Sequence, residues 1–214
     1  MDIGSKVRQV YGLARQGASF GYTKVRGLHF QIVTVQTGTC APVIVATRLR
    51  KGAAGSGKGA ASLLCEALAT VRAMGITAQI IVRADSAYFP HKVVDACRRA
   101  GVRFSLAVAV KKTVREAIVN IAEDAWTPIE YTAAVWDDED ERRVCDAEIA
   151  EIPFTAFTSK KKQFHTTSRL IVRRVKRSTP RASLKARPSC SASGATTSSS
   201  PTAASTEAFI RAGT

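Results

Sequence analysis

The 214-residue chain has no apolar run long enough to cross a bilayer, and its start, Met1-Asp2-Ile3-Gly4, lacks the basic flank and apolar stretch of a secretory leader. An intracellular, cytoplasmic protein with no membrane partner is expected. Cys-x-x-Cys pairs are also missing, and the five cysteines (Cys40, Cys65, Cys97, Cys145 and Cys190) are scattered and odd in number. That pattern excludes a zinc site or a disulfide framework and predicts reduced, mostly buried small hydrophobes. The three histidines, His29, His91 and His165, fall in no His-Glu-x-x-His or Gly-x-Ser-x-Gly context, so no catalytic role is assigned to them. Acidic residues are scarce: 17 Asp and Glu stand against 32 Lys and Arg, a formal net charge of +15. Such an excess implies a polyanionic partner. Nucleic acid fits better than an anionic membrane, because the basic residues are interleaved with strand-like segments rather than set along one amphipathic helix.

A hydrophobic fraction of 45% suffices for one domain with a sizeable core and an appendage. The chain opens on Met1-Asp2-Ile3, which reads as the end of a strand, and Lys6 to Tyr11 alternates as a half-solvated strand does. A loop or broken hairpin is predicted over Gly12 to Gly27. Leu28 to Val35 and Pro42 to Leu49 are β-branched strands of a meander. A glycine-rich loop, Gly52 to Gly59, opens a helix from about Ala60 to Met74 with Leu63, Leu64, Ala67, Leu68 and Val71 as its apolar stripe. A strand follows up to Asp85, then a helix over His91 to Ala100, a strand over Arg103 to Val110 and a helix over Thr113 to Ala122. From Trp126 a β-hairpin is predicted, with arms Ile129 to Trp136 and Arg142 to Ile152 around the solvated acidic turn Asp137 to Glu141. The basic run Lys160-Lys161-Lys162 precedes a last strand, Ser168 to Val175. The expected division is a domain over 1–176, with the β insertion from about 126, and a tail over 177–214 whose Ser, Ala and Thr content leaves it disordered.

Within this order the run Ala78-Gln79-Ile80-Ile81-Val82-Arg83-Ala84-Asp85 is a short buried strand ending on a carboxylate. Open α/β sheets gather chemistry at such carboxyl ends. Asp85 and Ser86 equally suit a helix cap. If the first strand lies beside this one, Asp2 joins Asp85 as a second strand-end acid. Hard oxygen ligands so placed suit magnesium or manganese, and a pair of such ions about 3.5–4 Å apart serves phosphodiester chemistry. The glycine loop offers a second candidate. Gly52 and Gly57-Lys58 have Walker spacing between a strand and a helix, but Gly59 stands where a hydroxyl would hold magnesium.

The segments Arg83-Ala84-Asp85-Ser86-Ala87-Tyr88, Pro42 to Gly52 and Asp124-Ala125-Trp126-Thr127-Pro128-Ile129 together resemble the DDE group 1 transposases of bacterial insertion sequences. The resemblance runs to about Lys176. It implies a ribonuclease H-like α/β fold, a mixed sheet flanked by helices with an inserted β-hairpin, and metal-dependent DNA strand cleavage and transfer. It makes Asp85 the second metal-binding aspartate and Mg2+ or Mn2+ the cofactor, weakly bound here. The family's Asp-x-Asp-Ser/Thr pattern reads Asp2-Ile3-Gly4-Ser5, so Asp2 is kept and Gly4 stands in place of the second acid. The family's late-helix glutamate finds no match, Glu207 lying in the low-complexity tail, and a truncated, inactive copy is expected.

Three functions follow as alternatives. The first is a DNA transposase, by descent an inactive fragment, acting on transposon ends and target DNA, with self-association a further expectation. The second is a catalytically silent DNA-binding remnant using Lys6, Arg8, Lys24, Arg26, Lys160, Lys161 and Lys162. The third is a phosphate-loop nucleotide-binding protein built on Lys58.

Overall fold

The computed structural model describes residues 1–12, 14–129, 136–137, 142–143, 147–175 and 206–211. Strands β1 (Asp2–Gln9), β2 (Ser19–Phe20), β3 (Arg26–Val35) and β4 (Val43–Lys51) come first, followed by helix α1 (Ala60–Ala73) and strand β5 (Ile81–Ala84). Helix α2 (His91–Arg99), strand β6 (Arg103–Val108) and helix α3 (Lys112–Val119) continue the alternation. The remaining strands are β7 (Thr127–Pro128), β8 (Trp136–Asp137), β9 (Arg142–Arg143), β10 (Ala147–Ala156), β11 (Thr166–Val175) and β12 (Thr206–Arg211).

One mixed sheet of ten strands runs in the order β2-β3-β1-β5-β6-β12-β11-β10-β7, with β4 also paired to β3. The meander β1, β3, β4 is antiparallel, whereas β1, β5 and β6 are mutually parallel. The order β4-β3-β1-β5-β6, with helices crossing between the parallel strands, is that of a ribonuclease H-like domain, as expected. The large sheet continues past β6 through the antiparallel β12, β11 and β10.

The core forms on one face of this sheet, where Ile3, Val33, Val82, Phe104, Leu106, Leu170 and Ile210 are buried. Helix α1 supplies the predicted stripe, Leu63, Leu64, Ala67, Leu68 and Val71, and ends at Gly75, whose φ of 79° lets its amide reach the Arg72 carbonyl. Helix α2 adds Val93, Val94 and Cys97. The opposite face of the meander carries Asp2, Gly4, Lys6 and Arg8 on β1 with Leu28, Phe30 and Ile32 on β3, none of them buried.

Three expectations change. β1 is one continuous strand, not two pieces, because β3 pairs with it without a break from Asp2 to Gln9, while β5 holds its first residues, Asp2 and Ile3. Residues 206–211 of the expected disordered tail form β12 in mid-sheet, where Ala208 and Ile210 are buried between β6 and β11, so its alternating apolar positions give it something to bury. The other tail residues lie outside the described ones. So does most of the acidic hairpin, of which only the pairing of Trp136 with Arg143 and Asp137 with Arg142 is described. Finally, Cys97 is buried, its thiol pushed up to about 12 by desolvation, but Cys40 and Cys65 are exposed. Cys145 and Cys190 are outside the described residues. The segment around Trp126 is fixed by Arg174, whose guanidinium lies 4.0 Å from the indole centroid and bonds Glu123 and Glu148.

Candidate active site

Asp85 follows the last residue of β5 while still in extended conformation, φ −74° and ψ 176°. Its Oδ1 accepts the Ala87 amide at 2.8 Å and so caps the short 3-10 turn Ser86–Tyr88. The capping role anticipated for it is therefore real. The other carboxylate oxygen has no partner among the described residues, so the cap leaves a hard oxygen donor at the strand end.

β1 lies beside β5 in parallel register, Asp2 opposite Arg83 and Ile3 opposite Ala84. Asp2 is thus brought to the neighbouring strand, but one pleat short of Asp85. Arg83 grips it with two bonds, Nε to Oδ1 at 2.7 Å and Nη2 to Oδ2 at 2.9 Å. Both oxygens of Asp2 are occupied. The next step in the register sets Gly4 level with Asp85, on the same face as Asp2 because strand side chains alternate. A Cβ added at Gly4 would meet nothing within 4 Å.

The sequence model of the transposase DDE domain group 1 matches residues 1–185. The chain belongs to that family. No curated protein matches the chain.

Members of this transposase family use divalent metal ions on DNA. The residues present do not fit a pair of them. Asp2 is committed to Arg83, Gly4 has no donor, and Asp85 offers one unpaired oxygen. Among the described residues no group of three or more His, Cys, Asp or Glu comes together. Glu207, unplaced by sequence reasoning, is held on β12 by Arg173 at 3.5 Å.

The glycine loop of this transposase domain sits behind the Asp85 turn and points its carbonyls inward. Gln31 Nε2 donates to the Ser56 carbonyl, Arg50 Nη1 to those of Gly55 and Lys58, and Arg48 Nη1 to that of Gly59. Gly57 packs so closely on the Ala87 carbonyl that a Cβ would come within 2.7 Å of it. Ser5 Oγ reaches Ser56 Oγ at 3.1 Å, and Tyr88, fully buried beside Ser5 and Gln31, has its hydroxyl pKa raised by desolvation. The loop therefore ties β1, β3 and β4 to the turn that carries Asp85. Sequence reasoning missed this cluster; the signal was His29 and Gln31 alternating with the apolar residues of β3.

His29 is fully buried, and its partners fix its state. Nδ1 faces the Ala54 carbonyl at 2.5 Å and must donate, so Arg50 Nη2, which lies 3.1 Å from Nδ1 and 3.3 Å from Nε2, has only the Nε2 lone pair to donate to. A guanidinium cannot accept, so the ring is neutral, and desolvation with help from the Arg50 charge lowers its pKa below the ordinary 6.5. The unfolded chain takes up this proton first as pH falls. The stability due to neutral His29 is complete above about 6.5 and is lost as pH drops through the lower folded value. Urea midpoints measured from pH 8 to 5 should fall for the parent and fall less for His29→Gln.

The predicted DNA-contacting residues separate into two groups. Lys6 and Arg8 project from the open face of β1, and Lys24 and Arg26 flank the cleft at the same end of the meander. Lys160, Lys161 and Lys162 lie elsewhere, on the β10–β11 connection that packs against α2 through the Arg98 bond to the Gln163 carbonyl and the contact of His91 with Phe164.

Proposed function

We propose that the chain is the core of a DNA transposase catalytic domain that binds DNA through its basic surface, with Asp85 and Asp2 as what remains of its catalytic, metal-binding carboxylates. The ion is magnesium or manganese, weakly held, because one free carboxylate oxygen competes poorly with the water shell of a hard cation. The observation that carries the reading is the parallel register of β1 and β5, which aligns the Asp-x-Asp position of one strand with the strand-end aspartate of the other. With Gly4 at that position, the chain as it stands binds DNA without cutting it.

Binding rests on phosphate contacts from Lys6, Arg8, Lys24 and Arg26 on one side and Lys160 to Lys162 on the other. Each phosphate neutralised contributes about 0.9 to the slope of log K against log salt, so the four contacts of the first group alone give a slope near −3.6 and about a hundredfold loss between 50 and 200 mM salt. Anisotropy titrations of unrelated duplexes at several salt concentrations check this, and a flat salt response or strong sequence preference would refute it. Incubation of supercoiled plasmid with the parent and with Asp85→Ala in manganese checks the chemistry. Neither is expected to nick, and nicking by the parent that disappears in the variant would show a complete site.

A further inference from the structure

Residues 3–65 contain no aspartate or glutamate but nine lysines and arginines. Some of those cations have structural work: Arg48 pairs with Glu66, and Arg50 holds the glycine loop. Lys6, Arg8 and Lys24 have no partner among the described residues. Between them, at the end of the meander, three aromatic side chains stand in solvent, Tyr11 77%, Phe20 67% and Tyr22 71% exposed. Exposure on this scale means that these rings serve no core; Tyr11 and Phe20 line one cleft with Lys24 and Arg26, and Tyr22 lies on the turn between Phe20 and Lys24, an apolar and basic surface. A cleft of about 420 Å³ opens there, lined among others by Val10, Tyr11, Phe20, Lys24 and Arg26.

The support beneath this surface is rigid. The Gly52 amide bonds the Gly17 carbonyl at 3.1 Å and the Ala53 amide bonds Ser19 Oγ at 2.9 Å. A Cβ at Gly52 would come within 2.1 Å of the Gly27 carbonyl and 2.2 Å of that of Ser19, and one at Gly21 within 2.5 Å of the Gly52 carbonyl. Glycines at these positions let the hairpin end close down on β4, so the exposed rings are presented on a fixed platform. Phe20 pairs with Arg26, which places it on the same face as Arg8 and Lys6. That face leads back along β1 to Gly4, six residues and about 20 Å of strand from Val10.

We infer that this surface takes the unpaired nucleotides of a DNA end, with bases stacked on Tyr11, Phe20 and Tyr22 and phosphates against Arg8 and Lys24. Aromatic faces among cations suit single strands, because every unpaired base offers a π-face, whereas duplex bases already stack on one another. Charge decides against the alternative occupant at this spot, since a second copy seated patch to patch would set like charges together. The inference rests on DNA being the substrate, but it names the form of DNA and is read by binding alone.

The test uses the full chain with a labelled fifteen-nucleotide oligo-dT and a duplex of the same length, by fluorescence anisotropy at fixed salt. Replacing Tyr11, Phe20 and Tyr22 together by Ala is expected to weaken oligo-dT binding about tenfold or more while duplex affinity changes less than about twofold, since stacking losses run from about fivefold to a hundredfold per base. The corresponding triple Leu variant, which keeps the apolar bulk, should lose the same affinity and guards against an unfolded Ala protein. Arg8→Ala with Lys24→Ala should weaken both probes. Unchanged oligo-dT affinity in the aromatic variants, equal losses on both probes, or a concentration-dependent dimer in light scattering that the aromatic variants abolish while oligo-dT binding persists would each overturn the inference. A parent that binds the duplex but not oligo-dT overturns it and leaves the DNA reading standing. A parent that binds neither overturns both.

Discussion

Gly4→Asp is expected to tighten manganese binding about a hundredfold, because carboxylate count tunes hard-cation sites over decades in affinity. The register of β1 against β5, continued one residue past its last pair of Ile3 with Ala84, puts position 4 beside Asp85, and a Cβ there meets nothing within 4 Å, so the site has room for a side chain to start. The two carboxylates would then face one another as like charges, which a divalent cation relieves. Gly4→Asn, the same size without the charge, should gain less than about threefold, and Asp85→Asn in the Gly4→Asp background should remove the gain. Asp2→Asn should matter little, since both Asp2 oxygens already serve Arg83. Calorimetric manganese titration of the parent and the four variants decides between the two first-strand positions. If Gly4→Asp binds no better than the parent while Asp2→Asn abolishes what binding there is, Asp2 is the ligand and the register argument is wrong.

The parallel half of the domain was legible because each element there has one strong signal. The β-branched run into Asp85, the run Arg103–Val108 and the apolar stripe of α1 each form the element expected of them, but the two strands bury one face rather than both, Val82 on β5 and Phe104, Leu106 and Val108 on β6. The candidate site was legible only as two acids. Spacing in the sequence could not show that β1 pairs with β5 one pleat out of step, so that the acid kept is the one tied to Arg83 and the position level with Asp85 is glycine. The inward face of β3 could not be read from its alternation, which would favour Leu28, Phe30 and Ile32, whereas Gly27, His29, Gln31 and Val33 are the buried set. A loop 25 residues further on reverses that polarity by bringing carbonyls for His29 and Gln31 to bond. β12 escaped notice because its pairing partners are long-range and its six residues sit in a segment of low complexity.

The same loop yields a contrast in which the residue that looked functional is nearly silent and its neighbour is not. Lys58 was singled out by Walker spacing, but its carbonyl is turned inward to Arg50 and the loop's other carbonyls are taken by Gln31, Arg48 and His29. A phosphate cradle presents amides and a lysine ammonium to its ligand; this loop spends its carbonyls on holding strands together. Lys58→Ala should therefore shift the unfolding midpoint by less than about 0.5 kcal/mol, the usual range for a surface substitution. Arg50→Ala should cost about 1 to 3 kcal/mol, because it leaves the Nε2 lone pair of fully buried His29 without a donor, the usual cost of one buried polar group left unpaired, whereas the Gly55 and Lys58 carbonyls it also bonds belong to exposed residues that water can reach, and that of Gly55 keeps the Lys58 amide. Arg50→Lys should recover little, since a single ammonium cannot span three acceptors that the guanidinium fork reaches together. Urea unfolding of the three variants reads the difference directly. A Lys58→Ala protein as damaged as Arg50→Ala, or one that loses a measurable ATP affinity present in the parent, would return the loop to phosphate binding; the opposite ranking makes it the brace that fixes the Asp85 turn against β1 and β3.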